Sequence, residues 1–124
     1  MSTSRRILVV DDNKDGADSL AMMLRMLGND VSAAYDGMTA LQRIAADPVE
    51  VVLLDIGMPK MNGYEVAKRI RADHADRKIF LVALTGWGQD DDKRQAMEAG
   101  FDVHMTKPVE LAALRTLLAE SASG

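Results

Sequence analysis

Short apolar runs alternate along this chain with stretches in which apolar residues recur every three or four positions. Ile7–Val10 is the first run, continuous rather than alternating, as a strand buried on both faces requires. Ala17, Leu20, Leu24 and Leu27 follow at helical spacing, and Gly28 supplies a C-terminal stop. "VSAAY" (31–35) predicts a weaker strand, and "GMTALQRIAAD" a short helix closed by Asp47-Pro48. "VVLL" (51–54) is a second strong strand, Val66, Ala67 and Ile70 mark a third helix, and "IFLVAL" (79–84) is a third strong strand. "DDKRQAMEAG" (91–100) predicts a helix closed by Gly100, and "DVHMT" (102–106) a last strand. Leu111, Leu114 and Leu118 form the apolar stripe of a last helix.

Five strand–helix units in 124 residues predict an α/β fold: a doubly wound, five-stranded parallel sheet with helices on both faces. Right-handed crossovers and the common strand order 2-1-3-4-5 place the first and third strands side by side at the centre. Their connections leave in opposite directions and open a crevice at their carboxyl ends. The first strand delivers Asp11 and Asp12 there, and the third delivers Asp55. The length suits a single domain spanning 1–124, with a core of about 5–120 and a small polar tail, residues 121–124, expected to fray.

Composition narrows the function. Hydrophobic residues make up 48% of the chain and charged residues 27%, the balance of an ordinary folded domain. No apolar stretch approaches the ~20 residues that span a bilayer, so no membrane partner and a cytoplasmic location are expected. A net charge of −4 with the two signs intermixed argues against direct nucleic-acid binding. The absence of cysteine removes disulfides, thiolate nucleophiles and zinc–cysteine sites.

Two like charges at the end of a buried strand raise each other's cost of ionisation, unless something positive is expected there. Hard carboxylate oxygens with no cysteine and two histidines suit Mg²⁺, with Mn²⁺ as the alternative. A carboxylate can also attack phosphorus and form an acyl phosphate. That chemistry needs a further cation for the phosphoryl oxygens. "MTKP" puts Lys107 on the same rim, and Leu84-Thr85-Gly86 adds a hydroxyl.

"LVVDDN", "LLDIGMPKMNG", "ALTG" and "KP" stand in an order and spacing that resembles response-regulator receiver domains over nearly the whole chain. The resemblance implies the flavodoxin-like (βα)5 fold and a two-component phosphorelay function. A histidine kinase or histidine phosphotransfer protein would phosphorylate Asp55 in a Mg²⁺-dependent transfer, and the product would switch binding to a downstream protein partner. It makes Asp12 a direct metal ligand, Asp11 a direct or water-bridged one, and the Gly57 carbonyl a further ligand beside Asp55. Thr85 would hydrogen-bond the phosphoryl group and Lys107 would pair with it. A cis Lys107-Pro108 bond is implied, and so is a partner face on the fourth helix, last strand and last helix. Such a domain is a signalling phosphoacceptor, catalysing only its own phosphorylation and dephosphorylation, rather than an enzyme.

Three positions depart from the commonest pattern. His104 stands where the family's switch residue is often Tyr or Phe, Trp87 two after Thr85, and Gly57 two after Asp55. His104 reads equally as switch or half-buried strand residue, and Trp87 as contact residue or lid. Asn13 and Asp15 read as helix caps, Asp18 as an acid near the positive helix end, and His74 as a solvated helix-end residue. Met22, Met23 and Met26 read as gap-filling or surface residues, and "DDDK" (90–93) as a solvated helix start. "ALTGWGQ" resembles receivers tied to hybrid histidine kinases, so an excised receiver stands beside a stand-alone one. A magnesium-dependent aspartyl-phosphate hydrolase expects a second acid where Gly57 stands. A flavin module would meet repulsion from Asp11 and Asp12.

Overall fold

The structure, a computed structural model, describes residues 4–58, 61–86 and 92–123. Trp87 and residues 90–91 of the "DDDK" stretch lie outside the described residues, so the expectations for them are not carried further. The strands are β1 (Arg6–Val10), β2 (Asp30–Ala34), β3 (Val51–Asp55), β4 (Phe80–Thr85) and β5 (Val103–Thr106). The helices are α1 (Lys14–Met26), α2 (Gly37–Ala46), α3 (Gly63–Asp73), α4 (Asp92–Ala99) and α5 (Leu111–Ser123). All strand pairs are parallel, in the order β2-β1-β3-β4-β5, as the sequence predicts.

The strong strands are apolar without alternation because both faces are covered. Leu8, Val10, Val52, Leu54, Leu81 and Ala83 point into a core layer shared with α2, α3 and α4. Ile7, Val9, Val51, Leu53, Val82 and Leu84 point into a second layer under α1 and α5. β2 and β5 lie at the edges and read more weakly because each is only partly buried.

Local sequence sets the helix ends. Asn13, Asp36 and Asn62 each occupy an N-cap and accept a backbone N–H from the first turn of α1, α2 and α3. Asp15 is an acidic residue of the first turn of α1 rather than a cap, because Asn13 already fills that role. Gly28, at φ +92°, turns the chain out of α1, where a side chain would be strained. His74 is the half-buried C-cap of α3, donating its N–H to Ile70 and accepting one from Arg77. Of the α1 methionines, Met22 and Met26 are exposed and Met23 packs partly against the core.

The stripe of α5 differs from expectation. Leu114 and Leu117 are buried and Leu118 is partly so, while Leu111 faces solvent. Leu111 occupies the opening turn, before the helix face meets the sheet. The helix also runs to Ser123, into residues expected to fray, and carries an Ala- and Glu-bearing stretch that favours continuation.

Two arginines tie the end of the sheet away from the crevice. Arg71 of α3 donates to the carbonyls of Gly100 (2.9 Å) and Ile79 (2.8 Å) and to Asp102 Oδ2 (2.9 Å). Asp102 Oδ2 also accepts the Leu81 N–H at 2.8 Å. Arg77 donates to the carbonyls of Ile44, Asp47 and Val49. Carbonyls left open at helix ends and turns are thereby satisfied.

Candidate functional site: a carboxylate cluster at the carboxyl ends of β1 and β3

Two adjacent aspartates at the end of β1 sit in different surroundings. Asp11, just past the end of β1, is 5% exposed, whereas Asp12, in the bend that follows, faces solvent. Asp11 remains tied to the sheet through its N–H on the Ala34 carbonyl, 3.1 Å away. Asp55 is the last residue of β3, 9% exposed, in register with Leu84. The next N–H, that of Ile56, reaches the Leu84 carbonyl at 3.3 Å. One ligand oxygen from each of Asp11, Asp12 and Asp55 lies within 4.8 Å of the other two.

Lys107 crosses this cluster. Its Nζ is 2.9 Å from Asp11 Oδ2 and 3.4 Å from Asp55 Oδ2. Both carboxylates use their other oxygen on backbone: Asp11 Oδ1 accepts the Asn13 N–H (3.0 Å), and Asp55 Oδ1 accepts the Gly57 N–H (2.9 Å). Thr85 is 3% exposed, and its hydroxyl donates to the Met105 carbonyl at 3.3 Å. The Thr85 carbonyl accepts the Lys107 N–H at 2.9 Å, which fixes where the lysine side chain starts. The Lys107-Pro108 bond is cis.

Burial and partners move these groups apart. Burial pushes Asp11 up, but the Asn13 N–H, Lys107 and Asp55 outweigh it and hold its pKa below the ordinary carboxylate value. Burial also pushes Asp55 up, and there the Gly57 N–H and Lys107 offset it only in part, with Asp11 adding to the rise. Burial works to lower Lys107, yet its two carboxylate partners raise it, so the ammonium is retained. Asp11 is thus the settled anion, and Asp55 the carboxylate whose charge lacks full compensation.

Each residue expected at the site is brought to this end of the sheet, His104 excepted. His104 pairs with Ala83, one full strand repeat before Thr85, on the face toward α4. It is half-buried and lines a groove of about 340 Å³ with Met97 and Phe101. A second cavity, about 430 Å³, adjoins the cluster between α1 and the start of α5. Leu20, Met23, Leu84 and Val109 line it, with Asp11 and Lys107 at its edge. Tyr35, not singled out by the sequence reading, closes α1 onto the end of β2. Its hydroxyl donates to Asp18 at 2.7 Å, and Lys14 lies over its ring.

The response regulator receiver domain profile matches residues 7–119. The chain belongs to this family. It is 35% identical over 117 residues to RpaA of Synechocystis sp., a DNA-binding dual master transcriptional regulator, covering 91% of this chain and 48% of that protein. The chain spans about half the length of the first curated relatives it matches. Two solved receiver domains resemble it throughout. That of the sensor histidine kinase PA1611 from Pseudomonas aeruginosa, with magnesium in its active-site cleft, has a TM-score of 0.87 at 28% identity. The match covers 98% of this chain and 100% of that one. The receiver domain of Ssk1 from Saccharomyces cerevisiae, crystallised with the phosphotransfer protein Ypd1, is 27% identical with a TM-score of 0.89, covering 97% and 90%. This chain is a receiver domain of the two-component type. Among its described residues, no helix is long and apolar enough to cross a membrane.

Proposed function

We propose that Asp55 accepts a phosphoryl group from a phosphohistidine, and that the resulting acyl phosphate switches the affinity of one surface for a protein partner. The observation that carries this reading is the Lys107 ammonium between Asp11 and Asp55 at the mouth of a three-carboxylate cluster. An Asp55 carboxylate oxygen attacks phosphorus, the phosphorus–nitrogen bond breaks, and its electron pair returns to the donor imidazole. Asp55 must be ionised to attack. Lys107 favours that form and remains in place to hold the incoming phosphoryl oxygens.

The donor set fits a magnesium ion. Three hard oxygen donors converge, and Asp12 keeps one side open to water and to the phosphoryl group. One oxygen of each carboxylate lies within 4.8 Å of the other two, so the three can converge on a single ion. Asp11, Asp12, Asp55 and the Gly57 carbonyl would hold the ion, with Mn²⁺ as its substitute. When bound it supplies charge neutralisation to the transferring phosphoryl oxygens. Gly57 offers Asp55 a backbone N–H and no second acid, which favours a stored acyl phosphate over rapid hydrolysis.

Thr85 supports the switch. Its hydroxyl donates to the Met105 carbonyl, and turning it toward a phosphoryl group on Asp55 would free that carbonyl of β5 and leave room beside His104. The groove under α4 and β5, with exposed Met97 on its rim, is the surface such a movement reshapes. Residues of about 5–120 constitute this receiver unit, a phosphoacceptor acting on itself rather than on a substrate. The donor is a histidine kinase or a histidine phosphotransfer protein, and the site is one of cytoplasmic chemistry.

The test is transfer from a phosphohistidine-bearing protein, followed by gel mobility and mass, with and without a chelator. Mg²⁺-dependent gain of one phosphoryl group supports the reading. Gain that survives chelation contradicts the metal's part in it.

A further inference from the structure

Gly63 opens α3 with a φ outside the left-handed region, so its own backbone conformation does not call for glycine. Its surroundings do. A Cβ at this position would fall 2.6 Å from the Asp55 carbonyl oxygen, 2.7 Å from Ile56 Cα and 3.1 Å from the Asp55 carbonyl carbon. All three are backbone atoms and cannot swing aside. A Cβ on Gly37 would also be close to its neighbours, but those are side-chain atoms of Val66 and Met61. The bare Cα of Gly63 therefore lets the first turn of α3 rest directly on the Asp55–Ile56 peptide.

We propose that Gly63 is a positioning residue for phosphoryl acceptance, fixing the backbone from which the Asp55 side chain departs. The inference rests on the reading of Asp55 as phosphoacceptor. Ile56 is held from two sides: its N–H donates to the Leu84 carbonyl of β4, and its own carbonyl, in the following peptide, accepts the Gly63 N–H at 3.4 Å. Relieving a 2.6 Å contact to ordinary van der Waals distance moves one of two backbones by most of an ångström. Asp55 Oδ2 stands only 3.4 Å from Lys107, and its partner oxygen depends on the Gly57 N–H. A displacement of that size misaligns the nucleophile while leaving every ionisable side chain present.

The experiment compares wild type, Gly63→Ala, Asn62→Ala and Gly28→Ala, using acetyl phosphate at saturating Mg²⁺ and intact mass to follow phosphorylation. Melting curves establish that each variant is folded. Gly28→Ala strains a left-handed position remote from the site, so it loses stability and keeps the wild-type rate. Gly63→Ala is expected to lower the maximal rate by about tenfold or more, with the half-saturating acetyl phosphate concentration changed by less than about twofold. If Gly63→Ala does not fold, Asn62→Ala decides. It removes the cap that accepts the Glu65 N–H at 3.1 Å, loosening the same turn without adding an atom, and its maximal rate should fall too. A folded Gly63→Ala at the wild-type rate overturns the proposal, as does Gly28→Ala slowed equally. Wild type that takes up no phosphoryl group would instead remove the phosphoacceptor reading on which it rests.

Discussion

Lys107 and Asp11 stand 96 positions apart in the chain and 2.9 Å apart in the folded site. The pairing leaves Asp55 with the longer contact, 3.4 Å, to the same ammonium. One cation thus divides two carboxylates into an anion that is already satisfied and a second that is not. On the proposed reading, Asp11 holds a cation and Asp55 gains by reacting or by receiving one.

The first consequence concerns stability. Burial holds the Asp55 pKa above its ordinary 3.8, so its ionised form costs folding stability at neutral pH. Asp55→Asn should raise metal-free stability at pH 7 by about 1 kcal/mol. With a raised folded pKa, the wild type regains that stability as pH falls through it. The advantage of the variant should therefore shrink on acidification and vanish below the ordinary value. Thermal melts of both proteins from neutral to acid pH, without metal, check this.

A second consequence concerns the metal. Mg²⁺ bound only by the folded site raises stability by an amount that grows with concentration over the dissociation constant. Asp12 is the exposed member of the cluster and lacks a hold on Lys107, so its removal leaves the pairings of Asp11 and Asp55 intact. Asp12→Ala is expected to melt at least as high as wild type without metal and to lose most of the Mg²⁺ response. Titration at constant ionic strength measures both quantities.

Arg71 gives a prediction at the other end of the sheet. Arg71→Ala strips donors from the Gly100 and Ile79 carbonyls and from Asp102, and should cost about 2 kcal/mol. Arg71→Lys should recover only part, since an ammonium cannot reproduce the planar fork. Chemical unfolding of the three proteins reads the difference.

The contrast between Asp11 and Arg71 shows what the sequence could and could not reveal. Continuous apolar runs at Ile7–Val10, Val51–Leu54 and Ile79–Leu84 announce strands buried on both faces, and the topology then dictates which strand ends share a crevice. Asp11, Asp12, Asp55 and Thr85 were legible because they follow such runs, and Lys107 because it follows the weaker last strand, "DVHMT". The different burial of Asp11 and Asp12 arises in the bend after β1, which the apolar pattern does not mark. Arg71 and Arg77 left no local mark, because their partners are carbonyls on elements distant in sequence. The stripe of α5 was misplaced by one turn at Leu111, where helical spacing alone does not say which turn first meets the sheet. Gly63 sat in a quoted motif, yet only the built structure shows that its missing Cβ makes room for the Asp55 carbonyl.

The most direct measurement is intact mass with peptide mapping after exposure to acetyl phosphate and Mg²⁺, for wild type and Asp55→Asn together. The account predicts one phosphoryl group on wild type, located on the peptide carrying Asp55, and none on Asp55→Asn. A phosphoryl group retained by Asp55→Asn, or mapped in wild type to Asp11 or Asp12, would contradict it.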